Sequence, residues 1–93
     1  KDFFHKTKDM AFSVAPEGVF LDINDAGIKL LGLPGRKAAL RSNVYDFVEL
    51  PAALDEILRE LNERGHVSNR SVTLKPTSGE PIEVDITARA KKN

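Results

Sequence analysis

The sequence predicts an α+β domain: an antiparallel sheet with short helices and one longer helix packed on one of its faces. Apolar and polar residues alternate in two runs near the start and two near the end, as expected of strands with one face buried. Between them, residues 51–64 place Leu54, Ile57, Leu58 and Leu61 at the i, i+3, i+4, i+7 spacing of a buried helical stripe. The chain has 93 residues, which suits a single core with no second domain.

Residues 1–9 mix charges with Phe3, Phe4 and His5 and read as an N-terminal capping segment. Residues 10–15 and 19–23 then form a hairpin around Pro16-Glu17-Gly18. Met10, Phe12 and Val14 share one face of the first run, and Val19, Leu21 and Ile23 one face of the second. That alternation leaves Phe20 on the opposite face, turned to water. Asn24 or Asp25 supplies a helix N-cap, and the helix passes Ile28 and Leu31 to stop at Gly32. Leu33-Pro34-Gly35 turns the chain, and residues 36–47 form one or two short helical turns anchored by Leu40, Val44, Tyr45 and Phe47. Pro51 suits the first turn of the longer helix, which ends near Arg64-Gly65. A second hairpin joins residues 67–75 to 82–90 through a turn that holds Gly79; Val72 and Leu74 share a side with Ile82, Val84 and Ile86.

Composition narrows the chemistry. Fourteen basic residues balance 14 acidic ones, so the electrostatic footprint of a nucleic-acid binder is missing. The absence of cysteine removes disulfides, thiolate nucleophiles and thiolate metal sites, and fits a cytoplasmic setting. No apolar run reaches membrane-spanning length. The first residue is Lys1, and the expectation is a piece cut from a larger multidomain protein.

No catalytic or metal-binding set emerges from the residues. His5 and His66 are the only imidazoles, and no serine sits in a Gly-x-Ser-x-Gly elbow. Glu56 and Glu60 lie i,i+4 on a wet helix face, and the expectation is a non-enzymatic domain. Asp22-Ile-Asn24 opens like a calcium loop, but Ala26 and Leu33 stand where ligands belong. Gly27 and Gly32 have phosphate-loop spacing without the following Lys-Ser/Thr. Gly32-Leu-Pro-Gly35, followed by Arg36, Lys37 and Arg41, matches a Gly-x-x-Gly nucleic-acid loop. The apolar pair between the glycines and the zero net charge leave RNA binding at residues 32–41 a minor alternative.

The run Gly18-Val-Phe-Leu-Asp-Ile-Asn24, followed by Ala26, Ile28, Leu30, Leu31 and Gly32, resembles the second strand and first helix of the PAS family. The long helix, the break at Gly65 and the turn at Gly79 continue the resemblance over nearly the whole chain. It implies a sensory or interaction module attached to an effector such as a histidine kinase, cyclic-dinucleotide enzyme, chemoreceptor or transcription regulator. Such modules commonly act as homodimers that relay a signal through flanking helices.

The resemblance also implies five strands with the last in the middle, between the first and the fourth. Only four strand-like runs are visible, so either an empty central place is filled by sequence beyond Asn93 or by a partner chain, or residues 82–90 are assigned to the wrong strand. Family ligands lie between sheet and helices. The corresponding lining here is Phe12, Val14, Leu21, Ile23, Tyr45, Phe47, Ile57, Leu61, Val72, Leu74, Val84 and Ile86, which suits a small apolar or aromatic ligand or plain core packing. The missing cysteine argues against covalent flavin photochemistry, and the lack of His in residues 51–64 against His-ligated haem. Phe3, Phe4 and Phe20 are the expected dimer interface, with a ligand-free dimerisation module as the alternative function.

Overall fold

The computed structural model of the chain describes residues 9–77 and 79–90. Residues 1–8, including Phe3 and Phe4, lie outside the described residues, as does Ser78 in the last turn.

Strand β1 (Met10–Val14) turns at Pro16–Gly18 into β2 (Phe20–Ile23). Gly18 takes φ 101°, a left-handed value that favours glycine, and its N–H closes the turn onto the Ala15 carbonyl at 2.8 Å. The two strands pair Phe12 with Ile23 and Ser13 with Asp22, but Val14 with Phe20, so the register slips by one residue. This bulge leaves Leu21 without a partner and reverses the alternation. Phe20 therefore points inward, only 1% exposed, and meets Phe12 edge-to-face with ring centroids 5.4 Å apart. Leu21 is 42% exposed. Both predicted faces were inverted: Phe20 is core, not a dimer surface, and Leu21 lines no interior cavity.

Asn24 caps helix α1 (Asp25–Leu31), accepting from the Gly27 N–H. Its side chain also accepts from Ala11 N–H and donates to the Asp9 carbonyl. Gly27 presses against β1 so closely that a Cβ there would lie 2.8 Å from Ile23 Cγ1 and 3.0 Å from Met10 Cγ. Gly32 ends the helix in the left-handed region, as the sequence predicts. Helix α2 (Arg36–Leu40) and a 3₁₀ turn (Val44–Phe47) follow, the latter closed by a capping box between Asn43 and Asp46. Helix α3 (Pro51–Arg64) starts on its proline and buries Leu54, Ile57, Leu58 and Leu61, the stripe read from spacing.

The chain closes with β3 (His66–Leu74) and β4 (Ile82–Ala90), an antiparallel pair whose turn holds Gly79. The four-stranded sheet has the order β2-β1-β4-β3. β4 thus fills the central position itself, parallel to β1 and antiparallel to β3, which corrects two expectations. The sheet is mixed instead of wholly antiparallel, and no central slot stands empty. A strand of apolar alternation fits that place because its inner residues, Ile86 and Ala88, are almost wholly buried against Met10 and Phe12. Helices α1 and α2 cover β1 and β2, and α3 covers β3 and β4. Asp85 and Arg89 stand exposed on the other face.

Three substitutions test this core. Phe20→Ala removes a buried ring and is expected to cost about 3–5 kcal/mol in urea unfolding, whereas Leu21→Ala changes stability by under about 1 kcal/mol. Equal effects would contradict the bulge. Asn24→Ala strips the cap and leaves the Ala11 and Gly27 N–H groups unpaired, with an expected loss of about 2–4 kcal/mol in the same assay.

Candidate functional site: a cleft between the long helix and the sheet edge

Most of the predicted ligand lining is solid core. Phe12, Val14, Ile23, Phe47, Leu61, Leu74 and Ile86 are each at most 4% exposed and belong to one contiguous cluster. Phe20 adds to it, 6.4 Å from Phe47 between ring centroids. Val84 and Tyr45 pack half-buried against its margin. Ile57 and Val72 do face open space, but in a different place from the one expected.

That space is a cleft of about 410 Å³ between α3 and β3. One wall is the first half of α3 with Ala53, Leu54, Glu56 and Ile57; the other is residues 70–73 of β3 with Glu83 behind them. Residues 48–50, which lead into α3, close one end. Pro51 disfavours helical backbone at Leu50, which accordingly is extended, as is Val48. Leu50 is 76% exposed at the lip. Its signal in the sequence was an apolar side chain directly before a helix-starting proline, a position with no core to enter.

Arg70 reaches the cleft because of a second irregularity. The β3–β4 register shifts between Val67 and Arg70, with Asn69 at φ 51°, so Arg70 pairs with Ile86 and shares its helix-facing side. Its guanidinium donates to the Glu60 carboxylate of α3, and Arg64 lies 3.3 Å from the same carboxylate. The hydrogen bond from Arg70 lowers the Glu60 pKa; burial opposes this, and the charges of Arg70 and Arg64 add to the lowering. Folding strength drawn from this pair is present above the ordinary carboxylate range and is lost as pH falls through the lowered value. Near the opposite end of the cleft, Lys75 Nζ lies 3.4 Å from Glu49, and its N–H donates to the Phe47 carbonyl at 2.7 Å.

Tyr45 turns its hydroxyl to the outer side of α3, where it donates to Asp55. Burial, then that hydrogen bond and the Asp55 charge, push its pKa up to about 12. Arg36, one of the basic residues behind the nucleic-acid alternative, lies 2.9 Å from the Asp22 carboxylate and donates to the Ile23 carbonyl. Among the described residues no helix is long and apolar enough to cross a membrane.

A four-stranded mixed sheet with helices on one face and its last described strand at the centre is an α+β architecture. The chain belongs to the PAS fold family, which it matches over residues 1–93. Its fold is also similar to the crystal structure of a domain of the sensory box sensor histidine kinase/response regulator from Geobacter sulfurreducens. The two superpose with a TM-score of 0.65 over 91% of this chain and 75% of that one, at 20% sequence identity, a likeness of fold. No curated protein matches the chain.

Tyr45 is the chain's single tyrosine, so its titration can be followed alone by ultraviolet absorbance. The expected midpoint in the folded protein is about 12, and Asp55→Ala moves it back toward the ordinary tyrosine value of 10.0. A raised folded-state pKa gives stability that is complete below pH 10 and lost as pH rises from 10 to about 12; Tyr45→Phe removes that dependence.

Proposed function

We propose that this PAS domain is the input module of a cytoplasmic signal-transduction protein of the sensor-kinase kind, and that it has no catalytic step of its own. The cleft between α3 and β3 carries this reading. It is the place where the helix layer and the sheet are separated by open space, so an occupant there acts on their relative position. A small, mainly apolar ligand suits walls made by Leu50, Ala53, Leu54, Ile57 and Val72.

Occupancy favours one setting of α3 against the sheet, and the effector joined to the domain reads that setting. The shift is bounded by the ligand's differential affinity for the two settings. The Arg70–Glu60 pair is the tie that any such movement has to accommodate. Homodimerisation through segments flanking the core is the proposed route of relay.

A second reading is a ligand-free dimerisation module, favoured by how completely the predicted interior lining is consumed as core. Native mass spectrometry of the domain purified from cells without refolding separates the two. A discrete small-molecule adduct is expected, and Ala53→Trp, which fills the cleft from an exposed helix position, abolishes it. A bare dimer that ignores Ala53→Trp gives the dimerisation module instead.

A further inference from the structure

Each backbone N–H and C=O in a sheet needs a partner, and the two edges of this sheet meet the need differently. Beside β2, the Phe20 N–H donates to the Ser42 carbonyl and the Val44 N–H to that of Gly18, with a bridge between Val19 and Asn43. That edge is covered. Among the described residues the edge of β3 is covered at one end only, where the Lys75 N–H donates to Phe47.

In an antiparallel pair, alternate residues turn both backbone groups toward the neighbour and the others turn both away. Lys75 faces away from β4, so Leu74, Val72 and Arg70 face toward it, paired with Ile82, Val84 and Ile86. Thr73 and Ser71 then turn their N–H and C=O groups outward, and these have no backbone partner among the described residues. Both residues line the cleft.

An open strand edge beside an apolar trough is the arrangement that receives an extended peptide by strand addition. The bulge before Arg70 and the bond at Lys75 limit the open stretch to residues 71–73, enough for a short segment. Phe47 already uses the same edge, one residue pair further along, and the extended backbone at Val48 leads away from it. Charge selects the occupant. Glu49, Glu56 and Glu83 line the cleft against Arg70 alone, and Arg70 is held by Glu60. The ion pairs of Glu49 and Glu56 are solvent-exposed, at 3.4 and 3.8 Å, and offer little competition.

We propose that the free edge of β3 at Ser71 and Thr73 docks an extended partner segment in which apolar and basic residues alternate. The segment joins as an added strand. Its apolar side chains enter the trough against Leu50, Ala53 and Ile57, and its cations meet the acidic rim. This rests on the cleft being the input site and names the class of its occupant.

The test is an amide-resolved NMR titration of the 93-residue chain with a capped hexapeptide alternating valine and lysine. A second titration uses the same peptide N-methylated on the nitrogens that face the edge. The first peptide is expected to shift the Ser71 and Thr73 amides, slow their exchange with solvent and weaken as salt is raised. The methylated peptide binds about tenfold more weakly or less, having lost edge hydrogen bonds. Thr73→Pro removes an outward N–H without touching the ladder to β4, as proline on an open edge does, and likewise abolishes peptide binding. Equal binding of the two peptides overturns the proposal. So does failure of both while indole, a small apolar probe, still shifts Ala53, Ile57 and Val72; the cleft then remains the input site. Failure of all three probes removes the input-site reading as well.

Discussion

Asn24 holds together the part of the fold on which everything else is built. It is the one buried polar side chain among the described residues. Its Oδ1 accepts from Ala11 at 3.0 Å and from Gly27 at 2.9 Å, and its Nδ2 donates to the Asp9 carbonyl at 2.9 Å. The backbone of the same residue closes a further bond onto the Ala11 carbonyl and receives Ile28. One short side chain therefore fixes strand β1, the end of β2 and the start of α1 in a single geometry. In a low-dielectric interior such a satisfied set is strong, and each missing member is costly. The contact of Gly27 on Met10 and Ile23 follows from it, since the helix is drawn down onto the strand before any side chain could intervene.

From that corner the core spreads in one direction. Met10, Phe12 and Val14 present their inner faces to β4, and α3 seals Val72, Leu74 and Ile86 from above. Core packing is complete there, and the cleft opens where the helix stripe runs out, at the end of α3 that begins with an exposed leucine and a proline. The same geometry puts the least-satisfied backbone of the sheet beside the least-filled part of the helix layer.

The sequence made the elements legible but not their faces. The helix caps at Asn24, Gly32 and Gly65, the α3 stripe and the last hairpin follow from local chemistry and appear where spacing puts them. Period-two counting failed at the first bulge, and the second lay outside what alternation assigned. One turned Phe20 inward and Leu21 out; the other brought Arg70 to the helix side. A bulge is set by how two strands settle against a third layer, a tertiary matter that alternation within a single strand does not encode. The place of β4 was hidden for a related reason. Strand order depends on which non-neighbouring runs meet, and the pairing of Met10 with Ile86 leaves no local mark. The cleft went unread because its lining comes from a loop, an exposed helix turn and an edge strand, none of them apolar enough to stand out.

The central position of β4 also sets the order in which this domain is completed. As the chain leaves the ribosome, β1 and β2 can pair through a tight local turn, and α1 can dock through Asn24 while little else has been made. Yet β1 has a second edge, and its partner is the last strand of the described fold. Closing that pairing means bringing together residues separated by almost the whole chain, a loop entropy that local contacts do nothing to reduce. Until then the hairpin waits with half of its hydrogen-bonding groups exposed. The domain is in that sense a clasp whose first half is made early and whose lock arrives last.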